Sequence, residues 1–146
     1  MGEEELLVTR VQSRSSGVPG RSLNSARNHH FVIDEPAYAG GPGEEITPAE
    51  AFLAGISGCG VLLVEAFARH WGVPLTLVEV DIEGVRHPET PQEFQRVDMR
   101  FRLHGVNEDE ARRLVERYQG RCPLYRALAA ATQVNIEIEA VPAQKL

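Results

Sequence analysis

The two cysteines of the chain, Cys59 and Cys122, are the residues whose chemistry stands out first. Cys59 lies in Ala54-Gly55-Ile56-Ser57-Gly58-Cys59-Gly60, a run of small residues within a helical pattern. Each glycine in a helix interior costs about 1 kcal/mol relative to alanine, so this run needs an offsetting gain. Small residues let another backbone or a substrate approach closely. The run therefore predicts either tight packing around an inert thiol or a site built around a reactive one.

Cys122 lies in Gly120-Arg121-Cys122-Pro123, where Gly120 ends one predicted helix and Pro123 suits the first position of the next. A cysteine at a helix N-terminus meets free N–H groups and the positive end of the helix dipole, which favour a thiolate. Two cysteines in a reducing compartment are not expected to form a permanent disulfide. The two cysteines could instead be buried thiols without a role, metal ligands or reactive thiols. Their spacing in the sequence matches no zinc site. We therefore predict no metal and no cofactor.

The overall composition limits the possible partners. A chain of 146 residues with 42% hydrophobic and 25% charged residues predicts one globular domain over residues 1–146. The net charge of −6 argues against a surface for nucleic acid or for an anionic membrane. No apolar run approaches about 18 residues, and the first residues, Met-Gly-Glu-Glu-Glu, have the wrong charge for a signal peptide. We expect a soluble, cytoplasmic protein that does not bind membranes.

Capping signals and helical periodicity predict the elements that carry the cysteines. Thr47-Pro48-Ala49-Glu50 is a capping box with proline at the first helical position, and it predicts a long helix that Gly72 ends. Few positions of this helix are polar, so we expect it to be buried nearly all round. Asn107 predicts the start of a second helix, through about residue 119, and Pro123 the start of a third.

Alternating apolar and polar residues predict the strands. These are residues 6–15, one extended segment over 22–34, an antiparallel hairpin of 75–86 and 94–104, and a last strand over 133–141. The order ββ–α–ββ–αα–β predicts an α+β domain in which helices pack on antiparallel sheet. His29 and His30 would point to opposite faces of a strand, so a shared metal site is not expected there.

The segment T-P-A-E-A-F-L-A-G-I-S-G-C, followed by R-C-P-L-Y with the two cysteines 63 positions apart, resembles the OsmC/Ohr family of osmotically inducible and organic-hydroperoxide-resistance proteins. The resemblance implies an OsmC-like fold, with antiparallel sheets around a long central cysteine-bearing helix, in an intertwined homodimer. It also implies thiol-dependent reduction of organic hydroperoxides. Cys59 would be the peroxidatic cysteine and Cys122 would resolve its sulfenic acid as a disulfide. An external thiol or dithiol reductant would then restore both thiols.

A thiol in the middle of an apolar helix needs a cation to ionise, because desolvation raises its pKa above about 8.5. The family resemblance implies that this cation is a loop arginine held by a glutamate. The chain departs from that pattern at both places, since Val18 and Ala49 occupy the corresponding positions. Arg21, Arg27 and Glu50 are the remaining candidates. Glu50 is equally explained as the capping carboxylate of the helix.

The leading hypothesis is therefore a thiol peroxidase that acts through Cys59 and Cys122. The departures at Val18 and Ala49 place the chain in the wider OsmC-like family and predict weak activity or an unfamiliar substrate. A second hypothesis is a small-molecule binding protein of the same family, with a pocket at the dimer interface and little or no turnover. A third is a structural dimer with buried thiols.

Overall fold

The computed structural model describes residues 5–144 and divides the chain into two compact units, Met1–Ala51 and Phe52–Leu146. The described part of the first unit contains β1 (Gln12–Ser15), β2 (Arg21–Ala26), β3 (His29–Asp34) and a 3-10 turn at Ala37–Ala39. Helix α1 (Pro48–Trp71) begins in this unit and continues through the second. The second unit adds β4 (Leu77–Val85), β5 (Arg96–His104), α2 (Glu108–Arg121), α3 (Pro123–Ala131) and β6 (Gln133–Val141). The predicted α+β class is confirmed, whereas a single domain over residues 1–146 stays a prediction.

The helices begin where their capping residues predict. At the start of α1, the Thr47 N–H donates to the Glu50 carboxylate at 2.8 Å, and the Glu50 N–H donates to the Thr47 hydroxyl oxygen at 3.2 Å. Asn107 forms the same reciprocal capping box with Glu110 at the start of α2. Proline at the first position opens α3. These ends satisfy backbone N–H groups that a helix leaves without partners, so local sequence is enough to place them.

The first sheet has the antiparallel order β1-β2-β3. The prediction of one extended segment over residues 22–34 is wrong, because the chain turns back at Arg27 and Asn28 to form a hairpin. Two-residue hairpin turns need left-handed backbone, which Arg27 adopts with φ of 55°. The usual glycine signal is absent from this turn, which is why the sequence pattern did not indicate it. Strand β1 is also shorter than predicted, since residues 6–11 lie outside it.

The second sheet has the order β4-β5-β6. Strands β4 and β5 pair antiparallel, which confirms the predicted hairpin. Strand β6, however, runs parallel to β5, so the expectation of an entirely antiparallel sheet is wrong for this pair. The crossover through α2 and α3 returns the chain to the end of the sheet where β5 starts, and a parallel strand follows from that connection.

Helix α1 buries one stripe of residues at a spacing of four: Ile56, Gly60, Val64 and Ala68. Its other apolar side chains remain open in the single chain, with Phe52, Leu62 and Trp71 exposed to 49%, 67% and 40%. The expectation of burial nearly all round is therefore not met within one chain. By length and composition alone, α1 is the one helix of the described residues that could cross a membrane, although Glu65 interrupts its uncharged run. The core helix of a soluble protein meets the same two criteria.

The glycines around Cys59 have different surroundings. A Cβ atom on Gly60 would lie 3.2 Å from the Phe101 ring and 3.6 Å from Cζ of Tyr118, whereas one on Gly58 would have no neighbour within 4 Å. At Gly55, the nearest atom would belong to Leu124 at an ordinary 3.7 Å. Close packing therefore explains Gly60, where the absence of a side chain lets the Phe101 ring reach the helix backbone.

Candidate active site

The two cysteines are held by different helices of the second unit. Cys59 lies near the middle of α1, with its side chain partly buried. Cys122 is fully buried. It is both the C-cap residue of α2 and the N-cap residue of α3. Its N–H donates to the Tyr118 carbonyl oxygen at 2.9 Å, and its Sγ accepts the Tyr125 N–H at 3.4 Å. The junction between α2 and α3 thus orients the Cys122 thiol at a helix N-terminus, as its sequence neighbours predict.

The fold brings the two sulfur atoms into contact although they are far apart in the sequence. The Cys122 thiol donates to Cys59 Sγ across 3.0 Å, and both cysteines are free. A disulfide bond is about 2.05 Å long, so the sulfurs would have to approach by about 1 Å to form one. Two thiols in this arrangement can form a disulfide bond when oxidised and return to thiols when reduced.

The surroundings of Cys59 favour its neutral thiol. Burial, followed by the neighbouring Cys122 thiol, raises the pKa of Cys59 to about 12. No arginine among residues 52–144 counteracts this shift. Burial also raises the pKa of Tyr118, and the two nearby sulfurs raise it further, so its phenol stays protonated. A nucleophilic role for Cys59 therefore requires a positive charge from outside this unit.

An apolar cavity of about 640 Å³ lies in the second unit, between the first half of α1, the segment before β5, and α3. Its lining contains one charged residue, Glu93, and one hydroxyl, that of Thr132. The apolar lining residues are Phe52, Ile56, Phe94, Leu124, Ala127, Leu128 and Ala131. Ile56 precedes Cys59 by three positions on α1 and therefore lies on nearly the same helix face. The cavity suits a small apolar molecule, and Ile56 is its lining residue nearest to Cys59 along α1, since neither cysteine is part of the lining.

Arg21, the first candidate for the activating arginine, is part of a charged cluster in the first unit. Its Nε and Nη2 donate to the two carboxylate oxygens of Asp34, which faces it across β2 and β3, at 2.7 and 2.8 Å. Asp34 is fully buried and also accepts the backbone N–H groups of Glu44 and Glu45 at 3.1 and 3.0 Å. The pKa of Asp34 is lowered to about 2, mainly by the Arg21 guanidinium and then by these two N–H groups.

Sequence reasoning missed Asp34, because the pairing with Arg21 depends on the hairpin between β2 and β3. A correct prediction of the turn at residues 27–28 would have placed the two residues opposite each other. The other candidates lie apart from this cluster. Arg27 is exposed in the turn, and Glu50 caps α1, where the Thr47 N–H and then its hydroxyl lower the Glu50 pKa. Among residues 5–144, no group of three or more His, Cys, Asp or Glu side chains is arranged to hold a metal ion.

Comparison with known proteins identifies several relatives. The sequence model of the family described as OsmC-like protein matches residues 41–137. An uncharacterised protein of Acinetobacter baylyi is 28% identical over 142 residues, covering 94% of this chain and 97% of that protein. A Mycoplasma genitalium protein named hydroperoxide reductase is 24% identical over 121 residues, covering 80% and 85%. The crystal structure of an organic hydroperoxide resistance protein OsmC from Legionella pneumophila has a TM-score of 0.72 at 21% identity, covering 93% and 99%.

The substitution Asp34→Asn tests the charged cluster. Because the pKa of Asp34 is lowered from 3.8 to about 2 in the folded chain, its charge stabilises the fold above about pH 4. That stabilisation is lost as the pH falls toward about 2. We expect the variant to be less stable than the wild type near pH 7, and its free energy of unfolding to depend less on pH between these limits. Urea unfolding at a series of pH values measures both effects.

Glu44→Gln is the matched control for this experiment. The Glu44 side chain also contacts Arg21, at 3.3 Å, but is 74% exposed, so its loss should change stability little. An Asp34→Asn variant with the same pH dependence as the wild type would show that the buried carboxylate does not stabilise the first unit.

Proposed function

Because the chain belongs to the OsmC-like protein family, we propose that it is a thiol-dependent peroxidase that reduces organic hydroperoxides in the cytoplasm. The observation that carries this proposal is the contact between two free thiols, Cys122 and Cys59, at 3.0 Å. The names of the Mycoplasma genitalium relative and the Legionella pneumophila structure agree with the same chemistry. Oxidative stress defence would be its physiological role.

The proposed reaction has three steps, and the substrate is the oxidant. The Cys59 thiolate attacks the terminal oxygen of the hydroperoxide, the O–O bond breaks, and the alkoxide leaves with a proton as the alcohol. Cys59 is thereby oxidised to a sulfenic acid. The Cys122 sulfur then attacks the Cys59 sulfur, which forms the disulfide and releases water. An external dithiol finally reduces this disulfide by thiol exchange and becomes oxidised itself.

The geometry of the pair supports the resolving role of Cys122. The sulfur that must attack is already in van der Waals contact with its target, so little backbone movement separates the thiol pair from the disulfide. Reaction between two held groups avoids most of the entropy cost of a bimolecular encounter. Burial of Cys122 also favours its reaction with Cys59 over reaction with molecules in solution.

The cavity beside α1 supports an organic substrate. A hydroperoxide with an aryl or alkyl group could bury that group against the aromatic pair Phe52 and Phe94, whose ring centroids lie 6.1 Å apart. Burial of apolar surface contributes about 25 cal/mol per Å². Hydrogen peroxide has no such surface, so the cavity favours organic hydroperoxides over it.

Arg21 is the proposed activating arginine, and Arg27 is the second candidate. The guanidinium of Arg21 is held in a fixed orientation by both oxygens of Asp34, which is the arrangement that a preorganised charge requires. Asp34 is therefore the best-supported orienting acid. Glu50, the acid candidate proposed from the sequence, stays a prediction, and one of its oxygens accepts the Thr47 N–H in the helix cap.

We also propose that the protein is a homodimer that buries more than about 2,000 Å² in total. The exposed apolar side chains of α1, among them Phe52 and Leu62, would cost free energy in water and are typical of a surface that a partner covers. A second copy of the chain supplies the complementary apolar surface by symmetry. Sedimentation should give a dimer at micromolar concentration, and a stable monomer would contradict the proposal.

A small-molecule binding protein with little turnover is the alternative function. The raised pKa of Cys59, about 12, favours it, since a neutral thiol is a poor nucleophile. The same cavity would then bind an apolar ligand without chemistry. The two functions differ in whether hydroperoxide is consumed.

Consumption of cumene hydroperoxide by the purified protein tests the proposed function. Without reductant, we expect the wild type to consume one equivalent per chain and to lose both thiols, and with dithiothreitol to turn over. Cys59→Ser should abolish consumption, whereas Cys122→Ser should react once and form no disulfide within the chain. Hydrogen peroxide should react more slowly than cumene hydroperoxide. Colorimetric peroxide and thiol titrations follow all of these reactions.

No loss of thiols in the wild type, or full activity in Cys59→Ser, would contradict the peroxidase function. Binding of cumyl alcohol without any consumption of hydroperoxide would instead support the binding-protein alternative.

The dependence of Cys59 reactivity on pH tests the arginine assignment. If the guanidinium of Arg21 stabilises the thiolate, the apparent pKa of Cys59 with Arg21 present lies below about 9, and Arg21→Ala raises it toward the higher value that burial imposes. The rate of alkylation at Cys59, measured in a Cys122→Ser background, should then rise at a higher pH in the variant. Arg27→Ala is the matched comparison because its side chain is exposed in the turn.

A shift in Arg27→Ala alone would move the activating role to that residue, and no shift in either variant would mean that both assignments are wrong. A wild-type Cys59 that remains a thiol above about pH 9 would contradict the peroxidase function itself.

A further inference from the structure

Tyr118 on α2 connects the two cysteine-bearing segments although it takes no part in the proposed chemistry. Its side chain is fully buried, and its hydroxyl donates to the Ile56 carbonyl oxygen of α1 at 3.1 Å. Its own carbonyl oxygen accepts the Cys122 N–H at 2.9 Å. One residue therefore holds the turn of α1 that precedes Cys59 and, through its backbone, the cysteine on the other side.

The Phe101 ring reaches the α1 backbone because residue 60 is glycine, and the Tyr118 ring packs beside it. A Cβ atom at Gly60 would lie 3.6 Å from Cζ of Tyr118 and 3.2 Å from the Phe101 ring, which packs against Tyr118 with centroids 5.4 Å apart. The hydroxyl meets α1 one turn before Gly60, at a carbonyl that already accepts a helical N–H and has a second lone pair free. The ring stack and the hydrogen bond together fix how closely the α2–α3 junction approaches α1.

We propose that Tyr118 is a positioning residue that keeps the Cys122 sulfur within reach of the Cys59 sulfur. The 3.0 Å contact of the sulfurs depends on the separation of α1 from the α2–α3 junction, and the Tyr118 hydroxyl is a direct hydrogen-bond link between them. Without this link the two thiols would spend less time in contact, so the disulfide would form less readily. The inference rests on the proposed resolving role of Cys122.

Tyr125 provides a matched comparison within the same cluster. Its ring lies 5.5 Å from the Tyr118 ring, centroid to centroid, and its hydroxyl oxygen accepts a hydrogen bond from Gln119 at 3.0 Å. Gln119 belongs to α2, so this hydrogen bond joins α2 to α3 and does not reach α1. Removal of the Tyr125 hydroxyl therefore removes one partly buried hydrogen bond without changing the link to α1.

The test is a thiol–disulfide equilibrium in glutathione buffers, with Tyr118→Phe and Tyr125→Phe as the two variants. Glutathione disulfide oxidises the two cysteines, which form one disulfide while two molecules of glutathione are released. We expect Tyr118→Phe to lower this equilibrium constant by about 3- to 10-fold, the range that one hydrogen bond accounts for. Tyr125→Phe should stay within about 2-fold of the wild type. Mass spectrometry after acid quenching measures the oxidised fraction.

A second pair of variants keeps the test decisive if Tyr118→Phe folds poorly. Gly60→Ala should displace the Phe101 ring by a few tenths of an ångström, disturb the Tyr118 ring packed against it, and lower the same equilibrium constant, whereas Gly58→Ala adds its methyl group to open space. Equal effects of Tyr118→Phe and Tyr125→Phe, or no effect of Tyr118→Phe and Gly60→Ala, would overturn the positioning role. Because no hydroperoxide is used, this result is independent of whether the protein turns over peroxide.

Discussion

The close approach of α1 to the junction between α2 and α3 is the contact on which the candidate site depends. Glycine at residue 60 gives the Phe101 ring its room, because a Cβ atom there would lie 3.2 Å from that ring and at an ordinary 3.6 Å from Cζ of Tyr118. Glycine in a helix interior costs about 1 kcal/mol relative to alanine, and packing of two buried aromatic rings offsets that cost. The same approach brings the sulfurs of Cys59 and Cys122 to 3.0 Å. Packing and thiol chemistry therefore share one structural cause.

This packing also creates an electrostatic conflict. Burial, followed by the neighbouring Cys122 thiol, raises the pKa of Cys59 to about 12, which disfavours the thiolate needed for attack. A preorganised positive charge is the physical remedy, because it stabilises the thiolate without admitting water. The pair of Arg21 and buried Asp34 has the properties of such a charge. The proposed peroxidase function therefore requires a positive charge that residues 52–144 do not supply.

The structure offers a physical explanation for the departures from the family pattern at Val18 and Ala49. Arg21 lies on β2 and is oriented from β3 by Asp34, within one hairpin, whereas Glu50 serves the cap of α1. An arginine held by a neighbouring strand does not need a glutamate from the helix. The chain therefore has an internally consistent way to orient a guanidinium, although the residues differ from those that the family resemblance implied.

Short-range signals in the sequence determined the helices, their starting residues and the strands of the second unit, whereas the pairing of the two cysteines came from the family resemblance. Capping boxes at Thr47 and Asn107, and proline after Cys122, act through hydrogen bonds and dihedral preferences of adjacent residues, so they can be predicted without tertiary structure. Alternating hydrophobicity places the strands of the second unit equally well, because only one face of each is buried.

Only the tertiary structure decided the contacts between distant residues. The parallel pairing of β6 with β5, the partnership of Arg21 with Asp34, and the link from Tyr118 to Ile56 join segments whose sequences carry no local mark of each other. The turn at Arg27 could not be predicted from local sequence either. Arg27 adopts a left-handed backbone conformation because the strands on either side of it pair with each other. Such contacts follow from the free energy of packing the whole chain, which local patterns do not contain.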